Sequence, residues 1–241
     1  MQQYFSDVPL HTGDTYTFTR DQEHHVSVVR LNHEIIRLVY NGEAYFAECI
    51  QEGKHYHAVV KEKDDRINEL PVSLTLVPAL IRREKFELVL QKAAEMGVSR
   101  IVPLESSRCV VHAKKEGREK LLARWHQIVT EASAQCKRNF IPEVTDVISF
   151  SDLNKVKSEV NCAPYENAWG TSRFLSEAVQ GAKSVTAVIG PEGGFSEEEM
   201  QWFKANGYEA VTLGSRILRA ETAAMYTCAV IGETAERNRK K

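Results

Sequence analysis

The 241-residue chain lacks any apolar run near the length of a membrane-spanning helix, and its opening, MQQYFSDVPL, carries neither a basic nor an apolar leader segment. Its five cysteines, Cys49, Cys109, Cys136, Cys162 and Cys228, are scattered and form no C-x-x-C pair. That argues against a disulfide framework or a zinc site and for reduced thiols in a soluble cytoplasmic protein. An excess of either charge is also missing: 31 Lys and Arg stand against 33 Asp and Glu, a net charge of −2. No global basic field is available, so nucleic-acid contact would have to come from local clusters. His55 and His57 share a strand face, but no third ligand lies nearby in sequence, and they read as surface or half-buried histidines with no metal.

What is present falls into two regimes. Up to about residue 70, the segments HVSVVRL, EIIRLVYNG, EAYFAECIQEG and HYHAVVKEK are short and rich in β-branched and aromatic residues. They are punctuated by Asn41-Gly42, a strong hairpin signal, and by Glu52-Gly53. A small antiparallel barrel is expected over 1–70, and the charged KEKDDRINELP is the boundary. From residue 71 the rhythm alternates. Strands are expected at VSLTLVPAL, RIVPLE, ENAWG, VTAVIG and EAVTLG. Helices are expected at REKFELVLQKAAEMG, EKLLARWHQIVTEASAQCKR, EEEMQWFKANG and from about Thr222. This predicts an α/β domain over 71–241 whose mostly parallel sheet binds ligands beyond the carboxyl ends of its strands. The basic tail RNRKK reads as a solvated terminus.

Two such strand ends carry glycines. VIGPEGGFSEEE looks like a phosphate loop, yet it has no lysine and opens its helix with Glu197, Glu198 and Glu199. Ser196 and Glu199 read as a capping box, so the helix start is satisfied from within. The turn is then either a tight connection without a ligand or a place where backbone closely approaches a neutral or cationic one. In LGSRILRAETAAMYTCAV, Ile217 and Leu218 are either packing residues or a wall for an adenine ring. Ala223 and Ala224 would allow close helix packing, including across a dimer seam.

IGPEGGFS followed by LGSRILRAETAA resembles the signature of the bacterial small-subunit ribosomal RNA (uracil-N3) methyltransferases, in the SPOUT or α/β-knot superfamily. The blocks EKFELVLQKAAEMGVSRIVPLESSRCVV and RWHQIVTEASAQCKRNFIPEV are similar too, so the likeness covers almost the whole chain. It implies a PUA-like β-barrel ahead of an α/β trefoil-knot domain, a homodimer, S-adenosyl-L-methionine as cofactor, and 16S rRNA or the assembled small ribosomal subunit as substrate. By the same resemblance the cofactor shell would comprise Ile189, Gly190, Pro191, Glu192, Gly193, Gly194, Leu213, Gly214, Ile217 and Leu218. Pro78 joins it unless it only terminates its strand. Arg219 would stabilise the uridine anion or bind phosphate. Glu221 would accept the N3 proton, directly or through water, or cap the last helix. Arg30, Arg82, Arg83, Arg108, Lys137 and Arg138 would meet RNA phosphates. A uridine attacked at N3 must be unpaired, and Phe140 or Tyr4 could stack on it. The chain departs from the family at Gln3, where arginine is frequent, at His33-Glu34, in place of a Gly-Asp turn, and at Cys136, usually serine. Two other readings remain: a knot-fold RNA-binding ribosome-assembly module without catalysis, and a nucleotide hydrolase using the glycine loop for phosphates.

Overall fold

The computed structural model describes residues 1–113 and 116–239 and divides the chain into two compact units. One is Met1–Glu69 together with Ser133–Phe140; the other is the remainder from Leu70. The segment Ser133–Phe140 thus leaves the domain in which a division at residue 70 would place it. Lys240 and Lys241 of the basic tail lie outside the described residues.

The first unit contains β1 (Gln3–Phe5), β2 (Thr15–Thr17), α1 (Arg20–Val29), β3 (Ile35–Tyr40), β4 (Glu43–Glu52) and β5 (His55–Asp64). Its strands form one sheet in the order β1-β3-β4-β5-β2. The β3–β4 hairpin turns at Asn41-Gly42, with φ of 47° and 86°, the left-handed pair such a two-residue turn requires. Two expectations fail here. The sheet is not wholly antiparallel, because β1 runs parallel to β3. HVSVVRL lies mostly in α1 instead of a strand: the Thr19 hydroxyl accepts from the Gln22 backbone N–H while the Gln22 side-chain Oε1 accepts from the Thr19 N–H. This reciprocal cap outweighs the β preference of three valines, of which only Val26 is buried. His33, at φ 59°, holds a left-handed position where glycine would be unstrained.

A buried network ties Ser133–Phe140 into this unit. Arg37, 1% exposed, donates to Asp64 Oδ2 at 2.7 Å, Gln3 Oε1 at 2.8 Å, Asn139 Oδ1 at 3.2 Å and the carbonyls of Arg66 and Lys137. Gln3 donates in turn to the Arg138 carbonyl at 2.7 Å.

The second unit contains β6 (Ser73–Pro78), α2 (Arg83–Glu95), β7 (Arg100–Ile101), β8 (Leu104–Glu105), α3 (Arg118–Gln135, whose last turn belongs to the first unit), β9 (Glu143–Val144) and β10 (Ile148–Ser149). There follow β11 (Val160–Pro164), α4 (Leu175–Ala178), β12 (Ser184–Ile189), α5 (Glu197–Ala205), β13 (Glu209–Val211) and α6 (Ala220–Arg239). Six strands make a parallel sheet in the order β13-β11-β12-β6-β7-β9. RIVPLE is broken around Val102-Pro103, and β8 pairs with β10 in a separate small sheet. ENAWG is not a strand; Glu166–Ala168 is a 3₁₀ turn, and the strand is the preceding VNCAP, between β12 and β13. Buried Leu74, Leu76, Phe86, Leu90, Trp125 and Ile231 hold the helices on the sheet, each full burial contributing about 1.5–3 kcal/mol. The Phe86 and Trp125 rings pack 4.8 Å apart, tilted by 41°. The helices α2 and α6 pack together. Burial pushes the thiols of Cys162 and Cys228 up to about 12, and all five cysteines are unbridged. No described helix is long and apolar enough to cross a membrane.

Candidate functional site

The order of strands in the six-stranded sheet decides where a ligand can sit. From β6 the chain runs to β7 and β9 on one side and to β12, β11 and β13 on the other, leaving a crevice at the carboxyl ends near this reversal. The segments following β11, β12 and β13 line a cleft of about 540 Å³ there.

Every loop residue assigned to the cofactor shell faces it: Ile189 to Gly194 from one loop, Leu213, Gly214, Ile217 and Leu218 from the other. Pro78 does not. It is buried in register with Ile189 and acts as the end of β6. Tyr165 and Glu166, after β11, also line the cleft. The sequence expectation of a strand at ENAWG hides them; the signal that locates them is the proline-terminated VNCAP just before it, which is the actual strand β11.

The glycines have distinct reasons. At Gly194, φ is 65° and an added Cβ would lie 2.8 Å from the Glu166 carboxylate. Gly190 and Gly193 are closed off by Phe195 and Arg108, so at these three positions protein, not ligand, occupies the space. Gly214 differs: at φ 111°, no atom of the described residues lies within 4 Å of where its Cβ would be. The acidic start of α5 is self-satisfied as the sequence indicates. The Ser196 hydroxyl accepts from the Glu199 N–H at 3.2 Å, and Glu199 accepts from Ser196 N–H at 2.8 Å. The second Glu199 oxygen accepts from the Ser107 N–H at 2.9 Å. Arg108 donates to the Gly193 and Phe195 carbonyls at 3.1 and 3.2 Å, and so braces the glycine loop.

Charge is unevenly arranged around the cleft. Glu166 and Glu192 stand on the loops after β11 and β12, whereas Lys85, Arg216 and Arg219 come from α2 and the loop before α6. Lys85 thus belongs to the cleft and not merely to a basic helix start. Glu221 is buried behind the wall, not in it, and pairs with Lys85 at 3.1 Å. Burial raises its pKa, but its own N–H, Lys85 and Arg219 outweigh that and hold the carboxyl below the ordinary range. Held this way, it is a weak proton acceptor. Of the alanines, Ala223 lines the cleft and Ala224 is buried in the core of its own chain, so Ala224 is not available to a dimer seam.

The remaining basic residues separate by exposure. Arg30, Arg82 and Arg83 are exposed, with Arg83 paired to Glu87 at 2.8 Å. Lys137 is half-buried and donates to the Ala134 carbonyl. Arg138 is 3% exposed with its guanidinium on Glu69 at 2.6 Å, which makes it a structural residue and not a phosphate contact. Tyr4 is buried on His25, so it offers no stacking face; Phe140 is exposed and lies over Gly42.

Residues 68–232 match the model of the RNA methyltransferase domain. Over 205 residues the chain is 33% identical to the ribosomal RNA small subunit methyltransferase E of Mesomycoplasma hyopneumoniae, covering 84% of this chain and 87% of that one. It is 30% identical over 251 residues to the Bacillus subtilis protein of that name, with 98% of each covered. The crystal structure of the Neisseria gonorrhoeae protein of that name, bound to S-adenosyl methionine, matches with a TM-score of 0.87 at 30% identity over 96% of each chain. A cleft built from two glycine-bearing strand ends, a matching domain over most of the length and near-full-length relatives agree: the chain belongs to the RNA methyltransferase family, among the ribosomal RNA small subunit methyltransferase E proteins.

Proposed function

We propose that this protein methylates N3 of a specific uridine in 16S rRNA of the small ribosomal subunit, using S-adenosylmethionine. The observation that carries the reading is the convergence of residues 189–194 and 213–218 on one cleft. The fit is chemical. Leu213, Ile217 and Leu218 offer apolar surface to an adenine ring, while Glu166 and Glu192 offer opposite charge to a cationic ligand. The open space before Gly214 lets backbone approach the ligand. When bound, S-adenosylmethionine supplies a methyl group on a positively charged sulfur. The protein's part is to align the uridine, strip water from it and stabilise the negative charge that develops on its base. Arg219, in the cleft wall, is placed for the last task.

The same reading extends to the architecture. The unit of Met1–Glu69 with Ser133–Phe140 is on this reading a PUA-like barrel that helps to hold RNA, and the remainder from Leu70 a trefoil-knotted catalytic domain. The active form is a cytoplasmic homodimer. Ile217 and Tyr226, large side chains left 85% and 42% exposed, are surface that a second copy would cover. Exposed Arg30, Arg82 and Arg83 are the residues best placed to meet phosphates.

Titration calorimetry against S-adenosylmethionine and ATP, followed by methyl transfer to small-subunit particles lacking the modification, tests the reading. Donor binding with transfer supports it. Binding of ATP alone would favour phosphate chemistry, and binding of neither an assembly module without catalysis.

A further inference from the structure

We propose that Lys85 is a catalytic residue whose ammonium contacts the target uracil and stabilises its N3 anion, with buried Glu221 as the positioning residue that holds it in the cleft. This rests on the methyl-transfer reading above.

Lys85 stands in the first turn of α2, lines the cleft, and keeps 32% of its side chain exposed. Its partner Glu221 stands in the first turn of α6, is 9% exposed, and lies 3.1 Å away through Oε1. Glu221 Oε2 is buried without a hydrogen-bond partner among the described residues. For stability alone this is a poor arrangement, because a buried carboxylate loses hydration at both oxygens, and only Oε1 has an ion-pair partner while Oε2 meets no donor in hydrogen-bond geometry among the described residues. A half-satisfied ion pair at a cleft wall instead points to a group held for use.

An ammonium has three donors. One is taken by Glu221, which leaves donors for a ligand in the cleft. Arg219 from the loop before α6 acts on this pair, and the other charges lining the cleft are Arg216 from the same loop and Glu166 and Glu192 from the loops after β11 and β12. Uracil N3 becomes nucleophilic when its proton leaves to water; the N–H electron pair stays on nitrogen, and the negative charge spreads to O2 and O4. A cation beside those oxygens favours the ionised base.

The test compares the unaltered protein with Lys85→Ala, Lys85→Arg, Glu221→Gln and the Lys85→Ala/Glu221→Gln pair. Three quantities are read: donor affinity by calorimetry, the pH dependence of kcat/KM, and N3 ionisation in a short target RNA. The last is followed by ultraviolet difference titration of the complex with S-adenosylhomocysteine. In Lys85→Ala, kcat/KM at neutral pH should fall about 10–100-fold, and both pH curves should move up by about 1–2 units, tenfold for each unit. Donor affinity should stay within about twofold, because the cation acts on the base. Lys85→Arg should recover part of the loss. Glu221→Gln should shift the curves the same way by less and add nothing once Lys85 is absent. If Lys85→Ala does not fold with its carboxylate stranded, the double variant, which has no such carboxylate, gives the same readout.

Unmoved pH curves in a folded Lys85→Ala or double variant would overturn the proposal. So would a full-sized effect of Glu221→Gln in the Lys85→Ala background, which would make Glu221 the reacting group. Absence of donor binding and transfer in the unaltered protein would instead overturn the underlying reading, and this proposal with it.

Discussion

Each unit of the molecule buries a charge, and the two are treated differently. In the first, Arg37 spends its guanidinium on Asp64, Gln3, Asn139 and two carbonyls, at 2.7 to 3.2 Å. In the second, Glu221 has one oxygen on Lys85 and the other without a hydrogen-bond partner among the described residues. A fully bonded buried ion serves the fold, because every lost water contact has been replaced. A half-bonded one beside a cleft is costly to the fold, and its value has to be sought in what the cleft does.

The largest expected effect comes from breaking the satisfied network. Arg37→Met should lower the free energy of unfolding by about 3–5 kcal/mol, the usual result of removing one partner of a buried pair, with donor affinity unchanged; denaturant unfolding and calorimetry read the two. Next, Gly194→Val should cost about 1–3 kcal/mol of backbone strain at φ 65°. It should also weaken donor binding at least about tenfold, because the new side chain displaces Glu166 from the cleft wall. Arg219→Ala should reduce kcat by about 10²-fold, in the range for loss of a charge-stabilising donor. Donor affinity should fall less; equal loss of both would place Arg219 in the cofactor shell.

The smallest effect sharpens the comparison by pH. The Asp64 carboxyl is held far below the ordinary range, by Arg66 first and then Arg37, against the opposing effect of burial. A depressed carboxyl contributes its full stability above the unfolded value of about 4, and loses it as pH falls towards the folded value. Urea unfolding of the intact protein should therefore weaken steadily below about pH 4, and Asp64→Asn should flatten that slope.

These contrasts also mark what could be read from the residues alone. Asn41-Gly42, the Ser196–Glu199 cap and the two glycine strand ends are local, each set by a few adjacent positions, and all were legible. The helix at Arg20–Val29 was masked by its valines because the deciding bond is a single Thr19–Gln22 exchange. VNCAP gives little strand signal, because a short buried parallel strand containing asparagine and proline has little propensity of its own. The attachment of Ser133–Phe140 to the first unit depends on Arg37, Glu69 and Asn139, whose partners lie up to 102 residues away. The role of Lys85 in the cleft wall depends on the packing of α2 against α6. Neither relation leaves a trace in local sequence.

The most direct test of the account is a crystal structure of the protein grown with S-adenosylmethionine. The donor should lie between Ile189–Gly194 and Leu213–Leu218, with its adenine against Ile217 and Leu218. A donor bound at any other place, or a cleft left empty at saturating donor, would contradict it.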